Sequence, residues 1–278
     1  MAKKDLLKRS LSGTVFIAVL VAALFCAPLM LLVSLVSLCF MLHEFYGISL
    51  GGNFRLERAM AFVCCCTLYV ILFLVQWCGI PLRWIAVAIV PMFLMMVSLL
   101  FEKSREALDS FAYIFEGMVY IGVPVSLLPF LLFSRGEYDG TLMLGFLVIL
   151  CLSDTGAYIW GTAFGQKPDS RKLAPSISPK KSWIGFWAGV INAMAASVAV
   201  YFLGWLDGMS LWQAILFAAL LSASGVCGDL FESVWKRHFG VKDSGNSIPG
   251  HGGFLDRFDS SLAAIPVATA FLAVFGLL

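Results

Sequence analysis

The chain has 278 residues, 60% of them hydrophobic and only 13% charged, with a formal net charge of +2 and a mean hydropathy of +0.92. A soluble domain of this length needs far more polar surface, so the composition excludes an ordinary soluble protein and points to an integral membrane protein. The small net charge singles out no partner, and nucleic acid is not among those expected.

The opening MAKKDLLKRS is followed by a long apolar run, with no small-residue cleavage site ahead of a polar domain, and is read as part of a retained first transmembrane helix. Crossing roughly 30 Å of hydrocarbon takes about 20 mostly apolar residues. That ruler predicts about nine segments, near 11–27, 28–49, 59–77, 84–101, 114–133, 141–162, 183–204, 211–229 and 258–278. The first two join at Ala27 and Pro28 without a polar loop.

Lysine and arginine accumulate on the cytoplasmic side of membranes. With a cytoplasmic N-terminus and nine crossings, 17 of the 19 fall inside and only Arg83 and Arg135 outside. The expected fold is therefore all-α, a polytopic bundle of about nine transmembrane helices. It is read as an N-terminal transmembrane region, 1–140, and a catalytic region, 141–278, whose site faces the cytoplasm. No internal repeat is evident. The eight cysteines lie in or beside apolar runs, none in a CxxC spacing, and are expected to be small apolar side chains rather than disulfide partners or metal ligands.

Polar chemistry gathers in the C-terminal half. Segment 8 ends in GDLFESVWKRHFG, where Asp229, Glu232, Ser233 and Lys236 fall at i, i+3, i+4 and i+7 and share a helix face. Segment 9 opens with GGFLDRFD, which puts Asp256 and Asp259 one turn apart. Acids at a helix start are favoured by the helix dipole. Two carboxylates on one face repel, however, unless something positive lies beside them, and oxygen-rich sites of this kind suit Mg²⁺, with Asp229 as a further ligand. Between them, VKDSGNSIPGHGG is a glycine-rich loop of a type that can cradle phosphate, flanked by Lys236, Arg237 and Lys242.

Asp154 lies inside an apolar segment, where an acid is costly and is a functional candidate by default. Gly156, Gly161 and Gly165 beside it are read as helix-packing positions. In SISPKKSW, Ser176, Ser178, Lys180 and Lys181 could hold a phosphate at the membrane surface or merely mark the cytoplasmic side. Glu44 and Glu116 are read as snorkelling or capping acids at helix ends. There is no nucleophile elbow, Walker P-loop or HExxH helix.

The stretch SVWKRHFGVKDSGNSIPGHGGFLDRFD, Ser233 to Asp259, closely resembles the motif of phosphatidate cytidylyltransferases, also called CDP-diacylglycerol synthases. The matching positions are Ser233, Lys236, Arg237, Lys242, Asp243, Gly245, Ile248, Pro249, His251, Gly252, Gly253, Phe254, Asp256, Arg257, Phe258 and Asp259. Trp235 departs from the aliphatic residue or Phe expected there. SDTGAYIWGTAFG and SPKKSWIGFWAG resemble two upstream blocks of the same family, in the same order, whereas the first 140 residues match only in being hydrophobic.

The resemblance implies a cytoplasm-facing, membrane-embedded site that converts CTP and phosphatidate to CDP-diacylglycerol and pyrophosphate with Mg²⁺, K⁺ being a second candidate cation. Asp229, Asp256 and Asp259 would bind the cations, and Lys236, Arg237 and Lys242 the triphosphate or pyrophosphate. Ser178, Lys180 and Lys181 would hold the lipid phosphate, Asp154 would line the cavity, and His251 falls in the motif without an assignable role. A homodimer in a bacterial inner membrane is compatible with this reading. The rival readings are another CTP-dependent lipid enzyme, acting on an isoprenoid phospholipid or as a polyprenol kinase, and a secondary transporter. The transporter is disfavoured by the missing repeat and by charges gathered near one membrane face.

Overall fold

The computed structural model describes residues 2–98, 101, 106–167, 169–248 and 252–278. Its helices are α1 (Ala2–Ala23), α2 (Ala27–Ser49), α3 (Arg55–Cys78), α4 (Ala86–Ser98), α5 (Glu106–Gly117), α6 (Val123–Leu132), α7 (Thr141–Phe164), α8 (Trp183–Phe202), α9 (Leu211–His238) and α10 (Asp259–Val274). Among the described residues, six helical runs are long and apolar enough to cross a membrane: Ala27–Ser49, Arg55–Cys78, Ser110–Leu132, Thr141–Phe164, Trp183–Phe202 and Leu211–His238. Three shorter apolar helices, Leu11–Ala23, Leu82–Ser98 and Asp259–Val274, account for the remaining apolar segments of the sequence.

Local chemistry sets the helix boundaries. Pro28 in the first turn of α2 explains why two apolar helices can abut without a polar loop, because a first-turn position needs no N–H. α5 runs into α6 through a wider π turn, Met118–Gly122, in which Val123 N–H bonds to the Met118 carbonyl. Pro124 follows at once, and its missing N–H would otherwise have bonded to Tyr120, so the ladder loosens where it loses that bond.

The chain forms two compact units, one of Met1–Tyr138 with Asp243–Arg257, the other of Asp139–Lys242 with Phe258–Leu278. In the first unit α2, α3, α5 and α6 enclose Phe45, Tyr46, Tyr69 and Phe73, all fully buried, and Tyr46 donates a 2.8 Å hydrogen bond to the Ile114 carbonyl. The second unit packs α7, α8, α9 and α10 and adds a small antiparallel hairpin, β1 (Lys172–Ala174) and β2 (Ser178–Ser182).

Lipid is as apolar as a leucine side chain, so helices in a membrane gain from close packing and internal hydrogen bonds more than from hydrophobic burial. The second unit follows that rule. A Cβ on Gly156 would strike the Asn192 side chain, and Gly161 lies against the Gly185 backbone, so small residues bring α7 and α8 together. Ser153 of α7 and Ser222 of α9 share a buried 2.6 Å hydrogen bond. Large apolar side chains such as Phe93, Ile191 and Phe202 are exposed, as lipid contact requires.

Candidate active site

The second unit holds a cavity of about 550 Å³ lined by α7, α8, α9 and the hairpin. Its lining combines the apolar Ala157, Tyr158, Phe186 and Val226 with the charged Asp154, Lys180, Lys181 and Asp229. Lys181 Nζ lies 2.5 Å from Asp229 Oδ2, and Asp154 is within electrostatic range of both. The hairpin presents these lysines because it is fastened at its base. Gln166 Nε2 donates to the Lys180 carbonyl at 2.7 Å, and Lys172 Nζ donates to the Gly165 carbonyl and Gln166 Oε1, both at 2.9 Å. Ser178 opens β2 and pairs with Ala174. Ser182, at the other end of β2, caps α8 by accepting the Gly185 N–H at 3.1 Å.

A second charged cluster sits one turn further along α9. Glu232 is fully buried. Lys236 Nζ reaches its Oε2 at 2.7 Å, and its carboxyl group lies beside that of Asp259. Ser233 Oγ donates to Asp229 Oδ1 at 3.4 Å, so the i, i+3, i+4, i+7 face anticipated from spacing is present. Asp259 Oδ1 also accepts the N–H of Ser260 at 2.6 Å. Close approach of α9 and α10 depends on Gly228, where a Cβ would collide with the Asp259 carbonyl. Arg237 is spent locally, donating to the Val241 carbonyl at 3.0 Å, and Lys242 is exposed.

Neighbouring carboxyl groups disfavour each other's ionisation unless positive charge lies close by. The four acids Asp154, Asp229, Glu232 and Asp259 outnumber the three lysines Lys180, Lys181 and Lys236, leaving negative charge that a cation can offset. Among the described residues no group of three or more His, Cys, Asp or Glu side chains could by itself hold a metal ion. A magnesium site needs only one or two carboxylates, with water and substrate phosphate filling the remaining positions, so Asp229 and Asp259 fit that ion.

Asp256 belongs to the first unit. Its oxygens accept the N–H of Ser244, at 3.2 and 3.0 Å, and Oδ2 also accepts that of Gly253 at 3.0 Å. Asp256 therefore shapes the glycine-rich loop directly. His251 lies outside the described residues.

Residues 7–275 match the family model described as the cytidylyltransferase family. The chain belongs to that family. Among curated proteins it is similar to the phosphatidate cytidylyltransferase of Staphylococcus haemolyticus, 37% identical over 183 residues, which is 65% of this chain and 66% of that protein. Those of Staphylococcus epidermidis and Staphylococcus aureus are each 37% identical, over 173 and 174 residues, 62% of either chain. The matches span slightly less than two thirds of these relatives. In this cytidylyltransferase-family chain, spacing alone did not single out Gln166, Lys172 and Ser182 as the supports of the hairpin, nor Glu44 as part of the loop. An acid inside an apolar run was the one available signal for Glu44.

Proposed function

We propose that the protein is a phosphatidate cytidylyltransferase, forming CDP-diacylglycerol and pyrophosphate from CTP and phosphatidate at the cytoplasmic face of a bacterial plasma membrane. The observation that carries this reading is the Lys181–Asp229 pair in the lining of a cavity that also presents apolar side chains, within a group of membrane-type helices. Family membership, the printed names of the staphylococcal relatives and the placement of lysine and arginine support it.

A phosphate monoester loses its second proton near pH 6, so the attacking lipid oxygen is ionised at neutral pH and no strong base is needed. That oxygen bonds to the α-phosphorus of CTP. The bond from that phosphorus to the oxygen bridging to the β-phosphate breaks, and pyrophosphate leaves with the bonding pair. The protein's task is alignment and charge compensation.

Ser178, Lys180 and Lys181 would hold the lipid phosphate, Asp154 orienting Lys181, while Tyr158, Phe186 and Val226 face the lipid chains. Lys236 and Lys242 would meet the triphosphate, with Arg237 shaping the turn between them. Mg²⁺ held by Asp229 and Asp259, with a monovalent ion such as K⁺ beside it, would neutralise triphosphate oxygens and the departing pyrophosphate.

The test is purified protein with cytidine-labelled CTP and phosphatidate vesicles. Labelled lipid and pyrophosphate in equal amounts are expected. Release of CDP with no cytidine in the lipid would replace this reading by terminal phosphate transfer, and no turnover of either kind would remove it.

A further inference from the structure

The glycine-rich loop of the first unit is folded around a side chain about two hundred residues away in sequence. Glu44, on α2, is 6% exposed, which rules out a snorkelling acid at a helix end. Its carboxylate accepts four hydrogen bonds, two from each arm of the loop. From the first arm come the Ser244 hydroxyl, 3.0 Å to Oε2, and the Ser247 hydroxyl, 2.5 Å to Oε1. From the second come the N–H of Phe254, 2.9 Å to Oε1, and that of Leu255, 2.9 Å to Oε2. A carboxylate offers about four lone-pair sites, so the group is fully satisfied by neutral donors.

Two of the loop's glycines are explained by the same carboxylate. A Cβ on Gly245 would come within 2.7 Å of Glu44 Oε1, and one on Gly253 within 2.8 Å of Oε2. The arms are also joined to each other, Ile248 N–H donating to the Gly252 carbonyl at 3.1 Å. Phe254 stacks on Phe40 of α2, with ring centroids 5.5 Å apart. Ser244 supplies a hydroxyl to Glu44 and an N–H to Asp256, so the two carboxylates fix the same stretch of backbone.

We infer that Glu44 is a positioning residue for cytidylyl transfer, its buried carboxylate setting the conformation of the loop that carries Asp256 and leads within four residues of Leu255 to Asp259. This rests on the function proposed above. Glu44 touches neither substrate nor cation; it acts through the loop. Groups that orient ligands in this way typically change metal affinity or activity by roughly 10- to 100-fold when altered.

The experiment compares the full-length protein with Glu44→Gln and Ser247→Ala in lipid nanodiscs. The amide of glutamine keeps the shape but turns one acceptor into a donor facing donors. Hydrogen exchange without nucleotide or metal is expected to rise at least about 10-fold at Phe254 and Leu255, with α7 to α9 unchanged. The half-saturating Mg²⁺ concentration should rise about 10-fold or more. Ser247→Ala, which removes one of four donors and does not threaten folding, should give a shift of about threefold in the same two quantities, by the same logic at smaller scale.

Unchanged loop exchange and unchanged Mg²⁺ dependence in both variants would overturn the inference while leaving the proposed function standing. Faster exchange spread over every helix, with Mg²⁺ dependence unchanged, would make Glu44 a general stability residue and also overturn it. If the unsubstituted protein forms no CDP-diacylglycerol, the proposed function fails, and the positioning role for that reaction fails with it; the exchange data then decide separately whether Glu44 holds the loop.

Discussion

The charged cavity of the second unit and the glycine-rich loop of the first both hold carboxylates, but they satisfy them by opposite means. In the cavity Asp229 faces Lys181, and beyond it Glu232 faces Lys236 and Asp259. In the loop Glu44 accepts from two hydroxyl and two backbone N–H donors, and Asp256 accepts the backbone N–H of Ser244 and of Gly253. Lysine ion pairs can be exchanged: an arriving phosphate can take the ammonium while a cation takes the carboxylate, with the charges still balanced. Neutral donors fixed by the backbone cannot be traded in that way, so they define shape. On the function proposed above, one region is built to change partners and the other to hold still.

Three substitutions test that contrast. Asp259→Asn removes one of the carboxylates assigned to the cation, and should lower cytidylyl transfer by about 100- to 1000-fold, the scale seen when one electrostatic group is lost from a reacting centre. The loss should be read as a rate at saturating CTP, with Mg²⁺ varied to show whether more cation recovers any activity. Near-normal turnover with unchanged Mg²⁺ dependence would place the cation elsewhere.

Lys181→Ala should act more mildly, because the pair is partly open, at 24% and 38% side-chain exposure, and solvent screens it. An increase of about 10-fold in the apparent KM for phosphatidate is expected, roughly the 1.4 kcal/mol of one lost partly screened contact, with a smaller change in kcat. Equal KM values for variant and parent would return the SPKK block to a mere marker of the cytoplasmic side. The smallest effect belongs to Ser153→Ala, which deletes the buried bond to Ser222 without touching the charged clusters. Interhelical bonds of this sort contribute about 0.6 kcal/mol, so a slightly lower Tm with unaltered kinetics is expected.

Much of the architecture was legible in the sequence because hydropathy summed over about 20 residues is a local quantity. The apolar segments near 28–49, 59–77 and 183–204 reappear as α2, α3 and α8 with only small shifts at their ends. The α9 face was legible for the same reason: helical spacing alone brings Ser233 to Asp229 and Lys236 to Glu232. The small hairpin over 172–182 was not anticipated, since its strands of three and five residues are too short to show a periodicity.

By itself, then, the sequence determined that this is a membrane-type helical protein, which segments are apolar, and which polar types crowd its C-terminal half. Only the tertiary structure decided partners. It chose Lys181 rather than Lys172 for Asp229, and spent Lys172 on Gly165 and Gln166. It made Glu44 the anchor of a loop that begins at Ser244, where sequence position suggested only a helix end. The reason is geometric: hydropathy and helical phase are carried by neighbours in the chain, whereas a hydrogen bond is settled within about 3 Å, between groups whose separation along the chain says nothing about their separation in space.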